Sequence, residues 1–300
     1  MMKYFLIIFC FFIVGCAHPP VIRHDTPTSF TPKIKRNVRV ALVLGSGGAR
    51  SIAHLGVLHV LEKNNIPIDL IIGTSGGSII GALYADCPHA GQLKKKIFAC
   101  NKCDIINFSF ASVIDGAQGI LRSIIDGSNG ERFLVKTLKA KNFSELKIPF
   151  VALATDVMTG ETVILDKGPI PPAVRASYSI PGLFAPVELY GKTLVDGGVT
   201  APLGTEVAKL YHPEIIIAVD VTLPTDQIKV INMLDLTYKC LNITYNTLNE
   251  ALSRHADVLI KPQLGDAGIF DDHKRDMLYQ AGVDAAMKAL PEIKKKLSDK

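Results

Sequence analysis

Ile71-Ile72-Gly73-Thr74-Ser75-Gly76-Gly77-Ser78 places a G-x-S-x-G pattern between an apolar run and a helix-forming one. Asp69 to Ile72 reads as a short strand buried on both faces. Ser78 to Ala85 reads as a helix. A serine on a sharp strand-to-helix turn has its hydroxyl lifted clear of the backbone, and the helix N-terminus behind it favours negative charge. Gly73 and Gly77 permit that turn and leave room around Ser75. A Gly-rich turn with an incidental serine has the same spelling, so the pattern counts only in its strand–turn–helix setting.

Working outward, the flanking segments alternate in type. Val38 to Leu44 (VRVALVL) is an almost wholly apolar, β-branched run, followed by a Gly-rich turn. Ser51 to Lys63 then carries Ile52, Leu55, Leu58 and Leu61 at helical spacing. Pro149 to Thr155, Thr162 to Leu165 and Glu214 to Asp220 are further strand candidates. Glu131 to Lys139 and Leu203 to Tyr211 are helical. A long helical stretch near Ile231 to Ser253, a short strand at Asp257 to Ile260 and a last helix near Lys274 to Leu290 complete the chain. This order predicts an α/β domain with a mainly parallel central sheet flanked by helices. At 300 residues, 48% hydrophobic and 20% charged, the chain holds a core that needs no staples. No linker-like composition precedes the C-terminal segment, so residues 223–300 are expected to close the domain formed by 38–222.

Two further segments bear on chemistry. Gly45-Ser46-Gly47-Gly48-Ala49-Arg50 ends the first strand and opens the first helix, so its amides face an anion. A dinucleotide site would need a third glycine where Ser51 stands, and the second strand here leads into the serine turn instead. An oxyanion hole from the Gly47 and Gly48 amides fits better; one such donor is worth about 3 kcal/mol in the transition state. Leu194-Val195-Asp196-Gly197-Gly198 sets an aspartate at a strand end before a flexible turn. Alone, it is an ordinary Asp-Gly turn.

In this order, the three segments resemble the patatin-like phospholipases. The glycine loop with Arg50, the GTSGG turn and Asp196-Gly197-Gly198 match that family's oxyanion loop, nucleophile and dyad aspartate. Ala176 to Phe184 (ASYSIPGLF) is similar to the stretch preceding the aspartate in bacterial members. The resemblance covers roughly Val38 to Pro224; Ser46 and Ser51 depart from it, because the family often has glycine there. It implies a three-layer fold and a serine lipid acyl hydrolase without metal or cofactor. In that mechanism Ser75 is the nucleophile, Asp196 the general base, and Gly47 and Gly48 the oxyanion hole. Arg50 steadies the loop or contacts a lipid phosphate, with the structural role favoured. The implied substrate is a membrane lipid; phospholipid, lysophospholipid and neutral glyceride stay open. A carboxylate is a weak base, so the mechanism expects Asp196 to be desolvated.

Two rival readings are distinct in class. An α/β-hydrolase triad would recruit His255 or His273, which follow Ser75 in the right order but sit in no recognisable catalytic loop. His54 precedes Ser75 and reads as a packed helix residue. A lipid-binding lipoprotein with a degenerate site would keep the fold and lose turnover. The net charge of +5 shows no basic block suited to nucleic acid. Nothing matches an EF-hand, and Cys100-x-x-Cys103 has no second pair at zinc spacing, so these cysteines read as structural, bridged or not.

The N-terminus carries its own signals. Lys3 followed by the apolar run Tyr4 to Val14 reads as an export signal too short to span a bilayer. Ile13-Val14-Gly15-Cys16 resembles a bacterial lipobox, which implies acylation of Cys16 as the mature N-terminus. Residues 17–37 contain four prolines and few apolar positions, as in an extended tether. Ala17 after the cysteine resembles outer-membrane sorting. The expected location is the bacterial cell envelope, lipid-anchored.

Overall fold

A computed structural model of the chain describes residues 37–100, 127–227, 230, 233–269 and 271–300. The signal at 1–16, Cys16, nearly all of the tether and Cys103 of the Cys100-x-x-Cys103 pair lie outside the described residues.

The continuous apolar runs form strands because both faces are covered. β1 (Val40–Leu44), β2 (Leu70–Thr74) and β7 (Ile215–Val219) are buried at every position. With β3 (Phe150–Asp156) and β8 (Val258–Ile260) they make a parallel run in the order β3-β2-β1-β7-β8. β6 (Lys192–Asp196) joins β3 antiparallel, β5 (Val187–Leu189) extends that edge, and β4 (Thr162–Leu165) also pairs antiparallel with β3. The sheet is therefore mainly parallel.

Alternate residues of β1 feed two cores. Val40, Leu42 and Leu44 pack with α1 (Ile52–Lys63), α2 (Gly76–Asp86) and the last helix, α8 (Arg275–Ser298). Ala41 and Val43 pack with α6 (Thr205–Lys209) and the end of α7 (Met233–Leu252). Helices on both faces make three layers, as the apolar runs require.

Several details differ from the sequence expectations. α3 (Ala90–Ala99) and the edge strand β5 had no clear signal. The helix α4 spans Ser128–Thr137, and α5 (Ile170–Ser177) begins at Pro171-Pro172. Proline suits a first turn, where its missing N–H has no partner to lose. α8 continues past Pro291 because Ile293 is fully buried and Arg39 Nη2 donates to the Leu297 carbonyl at 2.8 Å. The C-terminal segment contributes β8 to the central sheet, paired with β7. Among the described residues no helix is long and apolar enough to cross a membrane.

Candidate active site

Ser75 follows β2 and caps α2 with φ 56° and ψ −126°, a left-handed backbone that L-residues adopt only when neighbours impose it. The imposing contacts are visible. The Ser75 amide donates to Ser177 Oγ at 3.0 Å, and the Ser75 carbonyl accepts from Ser78 Oγ at 2.6 Å. A Cβ on Gly77 would run into the Leu44 carbonyl, and one on Gly73 would lie 2.6 Å from Ser78 Cα. Only glycine at these places lets the turn press against the end of β1.

Asp196 closes β6 opposite Ala154 of β3. Its carbonyl accepts from Thr155 Oγ1 at 3.0 Å, its Oδ1 accepts from the Gly198 amide at 2.6 Å, and its Oδ2 accepts from Ser75 Oγ at 2.7 Å. Residues 121 positions apart in sequence thus share one hydrogen bond. Ser75 is 2% exposed and Asp196 is fully buried. That burial pushes the Asp196 carboxyl up to about 7, against the opposing pull of the Ser75 hydroxyl and the Gly198 amide. A carboxylate beside a hydroxyl, titrating near neutrality, is chemically suited to take its proton.

The glycine loop lies beside this pair. Gly45 N donates to Val219 O at 3.0 Å, Ser46 N to Pro202 O at 2.8 Å and Ala49 N to Ile269 O at 2.8 Å. Gly48 has φ +56°, and a Cβ there would approach Ile269 O to 2.8 Å; one on Gly47 would meet Val221 Cγ2 at 2.5 Å. No described residue accepts a hydrogen bond from the Gly47 or Gly48 amide. Two unengaged amides on a tightly held loop are what a developing oxyanion needs.

Arg50 is 1% exposed, and three of its five N–H donors are engaged: Nε to Val221 O at 2.9 Å, Nη1 to Ala267 O at 3.4 Å, Nη2 to Tyr238 Oη at 2.8 Å. These three bonds tie the guanidinium to Val221, Ala267 and Tyr238. His54 is fully buried, held neutral by that burial, which lowers its pKa to about 4, and its Nε2 bonds Gly45 O at 2.9 Å. His255 faces Glu206 at 3.3 Å, and His273 is exposed in a short 3-10 turn. Ser75 and Asp196 are in direct contact, with no imidazole between them. Ser177, Thr155 and Tyr245 were not singled out from the sequence, although Ser177 lies in the ASYSIPGLF stretch that was. Among the described residues no cluster of three or more His, Cys, Asp or Glu is placed to hold a metal ion.

The family model described as patatin-like phospholipase matches residues 42–209. An uncharacterized NTE family protein of Mycobacterium tuberculosis is 37% identical over 182 residues, 59% of this chain and 47% of that protein. The human patatin-like phospholipase domain-containing protein 6 is 33% identical over 187 residues, 61% of this chain and 13% of that protein. VipD from Legionella pneumophila superposes with a TM-score of 0.49 at 12% identity, covering 85% of this chain and 67% of that one. The chain spans less than half the length of these curated relatives.

Proposed function

Because the chain belongs to the patatin-like phospholipase family, we propose that it is a serine lipid acyl hydrolase working through Ser75 and Asp196. The observation that carries this reading is the 2.7 Å hydrogen bond from Ser75 Oγ to the buried Asp196 Oδ2. Asp196 accepts the Ser75 proton as Oγ attacks the ester carbonyl carbon. The carbonyl oxygen takes the negative charge against the Gly47 and Gly48 amides. Collapse breaks the bond to the alcohol, which leaves with the proton from Asp196. Water then attacks the acyl-enzyme, gives a proton to Asp196, and the Ser75–acyl bond breaks as that proton returns to Oγ. A fatty acid leaves.

Phospholipids and lysophospholipids are the substrate classes to test, since the curated relatives include the Lysophospholipase NTE1 of Debaryomyces hansenii, 29% identical over 279 residues. The proposal includes a place: Ile13 to Cys16 supports acylation of Cys16 and anchoring at the bacterial envelope, tested by palmitate labelling lost in Cys16→Ser. For the site, a soluble form starting at Ala17 is incubated with a fluorophosphonate probe and with a short-chain ester. Labelling and turnover are both expected, and both vanish in Ser75→Ala and Asp196→Asn. Turnover that survives Ser75→Ala overturns the reading.

A further inference from the structure

One face of α7 is polar and buried. Tyr238, Asn242, Tyr245 and Asn249 recur at helical spacing and turn inward, while Leu236 and Ile243 are each 45% exposed. Tyr238 Oη accepts from Arg50, Asn242 Nδ2 donates to Leu223 O at 2.8 Å, and Asn249 Nδ2 donates to Asp220 Oδ1 at 3.0 Å. Three atoms on this face, Asn242 Oδ1, Tyr245 Oη and Asn249 Oδ1, are buried and have no protein partner. An unpartnered buried hydroxyl costs about 1–3 kcal/mol, so each such atom calls for a water or a functional role.

Of these three residues, Tyr245 is the one whose ring end lies near the proposed dyad. A point at the Cβ position of Gly198 lies 2.9 Å from Tyr245 Cζ, 3.0 Å from Asp196 Oδ1 and 3.1 Å from Ser46 Oγ. The phenol end, the carboxylate and the loop hydroxyl therefore converge over Gly198, whose own amide holds Oδ1. Tyr245 is 5% exposed, and its hydroxyl is buried without a partner. A bridging water needs two to four polar partners, and a phenol hydroxyl, a carboxylate oxygen and a serine hydroxyl are partners of that kind.

We propose that Tyr245 is a positioning residue for Asp196, its hydroxyl joined to the Oδ1 side of the carboxylate by a water shared with Ser46 Oγ. The inference rests on the assignment of Asp196 as general base. It gives the two carboxylate oxygens separate tasks: Oδ2 receives the Ser75 proton, and Oδ1 is held by the Gly198 amide and the Tyr245 water. Burial and the charge of Asp196 push the Tyr245 phenol upward, so it stays an O–H donor throughout the working range. Burial, the Ser75 hydroxyl and the Gly198 amide act on Asp196; no charged side chain among the described residues does. Residue 245 lies beyond the matched region 42–209, so this contact is contributed by the segment that follows it.

The test is the rate of fluorophosphonate labelling against pH, for the wild type, Tyr245→Phe and Ser46→Ala. A donor to the carboxylate favours its ionised form, so losing it moves the acid limb to higher pH. Tyr245→Phe is expected to label about fivefold more slowly at pH 6, the size of one net hydrogen bond, and within about twofold of wild type at pH 9. Ser46→Ala should move the limb the same way by less, and the double variant should fall short of the product of the two. Labelling slowed equally at every pH would mean a packing role and overturn the inference, as would a profile superimposed on the wild type. A wild type that does not label at all defeats the Ser75 assignment itself, and the inference with it.

Discussion

The imidazole of His54 hydrogen-bonds the carbonyl of Gly45 at 2.9 Å, tying the first turn of α1 to the loop that carries Gly47 and Gly48. Burial keeps His54 neutral above about pH 4, so Nε2–H is the donor. His54→Ala deletes the donor and opens a buried cavity, at about 2–4 kcal/mol of stability. Loosened amides are expected to lower kcat by about tenfold, less than the loss of an oxyanion donor outright. His54→Gln places an amide N–H at similar reach and should recover part of both. Thermal unfolding by circular dichroism and ester turnover check the pair; a His54→Ala variant with wild-type kcat separates the loop from His54.

In the proposed mechanism Asp196 sets stability against function. Its pKa is raised from 3.8 to about 7 in the fold, so between those values the folded chain holds a proton that the unfolded chain has lost. Stability from this group is present at low pH and drains away as pH rises toward 7, to about 4 kcal/mol. His54 runs the other way: its pKa falls from 6.5 to about 4, so its contribution is lost as pH falls through that window. The two nearly cancel in the wild type. Asp196→Asn keeps an acceptor for Gly198 and never ionises. It should melt several degrees above wild type at pH 8, lose most of that advantage near pH 5, and be inactive at both.

The parts of this fold legible in sequence were those whose cause is local. β1, β2 and β7 are continuous apolar runs because both faces are covered, and Ser75 and Asp196 each sit in a turn spelled by neighbouring glycines. Other parts depend on distant contacts. β5 is three residues with Glu188 exposed, too short to show a period. The turn after Pro291 stays helical because Ile293 is buried against the core. Tyr245 escaped because α7 inverts the usual rule, turning Tyr and Asn inward and Leu236 and Ile243 outward. A polar stripe at helical spacing reads as a solvated face until something is known to lie against it.

The crossing of α1 and α8 is a place where one methyl decides stability. A Cβ on Gly282 would collide with the Ala53 backbone carbonyl, and one on Gly56 with the Tyr279 carbonyl. Neither obstacle is a flexible side chain, so the helices themselves must separate. Gly282→Ala is expected to cost about 3 kcal/mol despite alanine's better helix propensity. Urea unfolding measures it. An unchanged midpoint would show that the helices can part freely.

Arg50 distinguishes loop support from recognition of a lipid phosphate. Its fork reaches Val221 O, Ala267 O and Tyr238 Oη on three separate segments, with 1% of its surface exposed. A lysine ammonium is a point donor and cannot span all three. Arg50→Lys therefore leaves buried carbonyls unpaired, and about 2–4 kcal/mol of stability should go with them. Since the loop carries the Gly47 and Gly48 amides, turnover of a neutral short-chain ester and of a phospholipid should fall by the same factor. A guanidinium in contact with substrate phosphate predicts otherwise: lysine would keep the charge, spare the fold and depress phospholipid turnover alone. Measuring both substrates and the melting temperature on one variant decides between them.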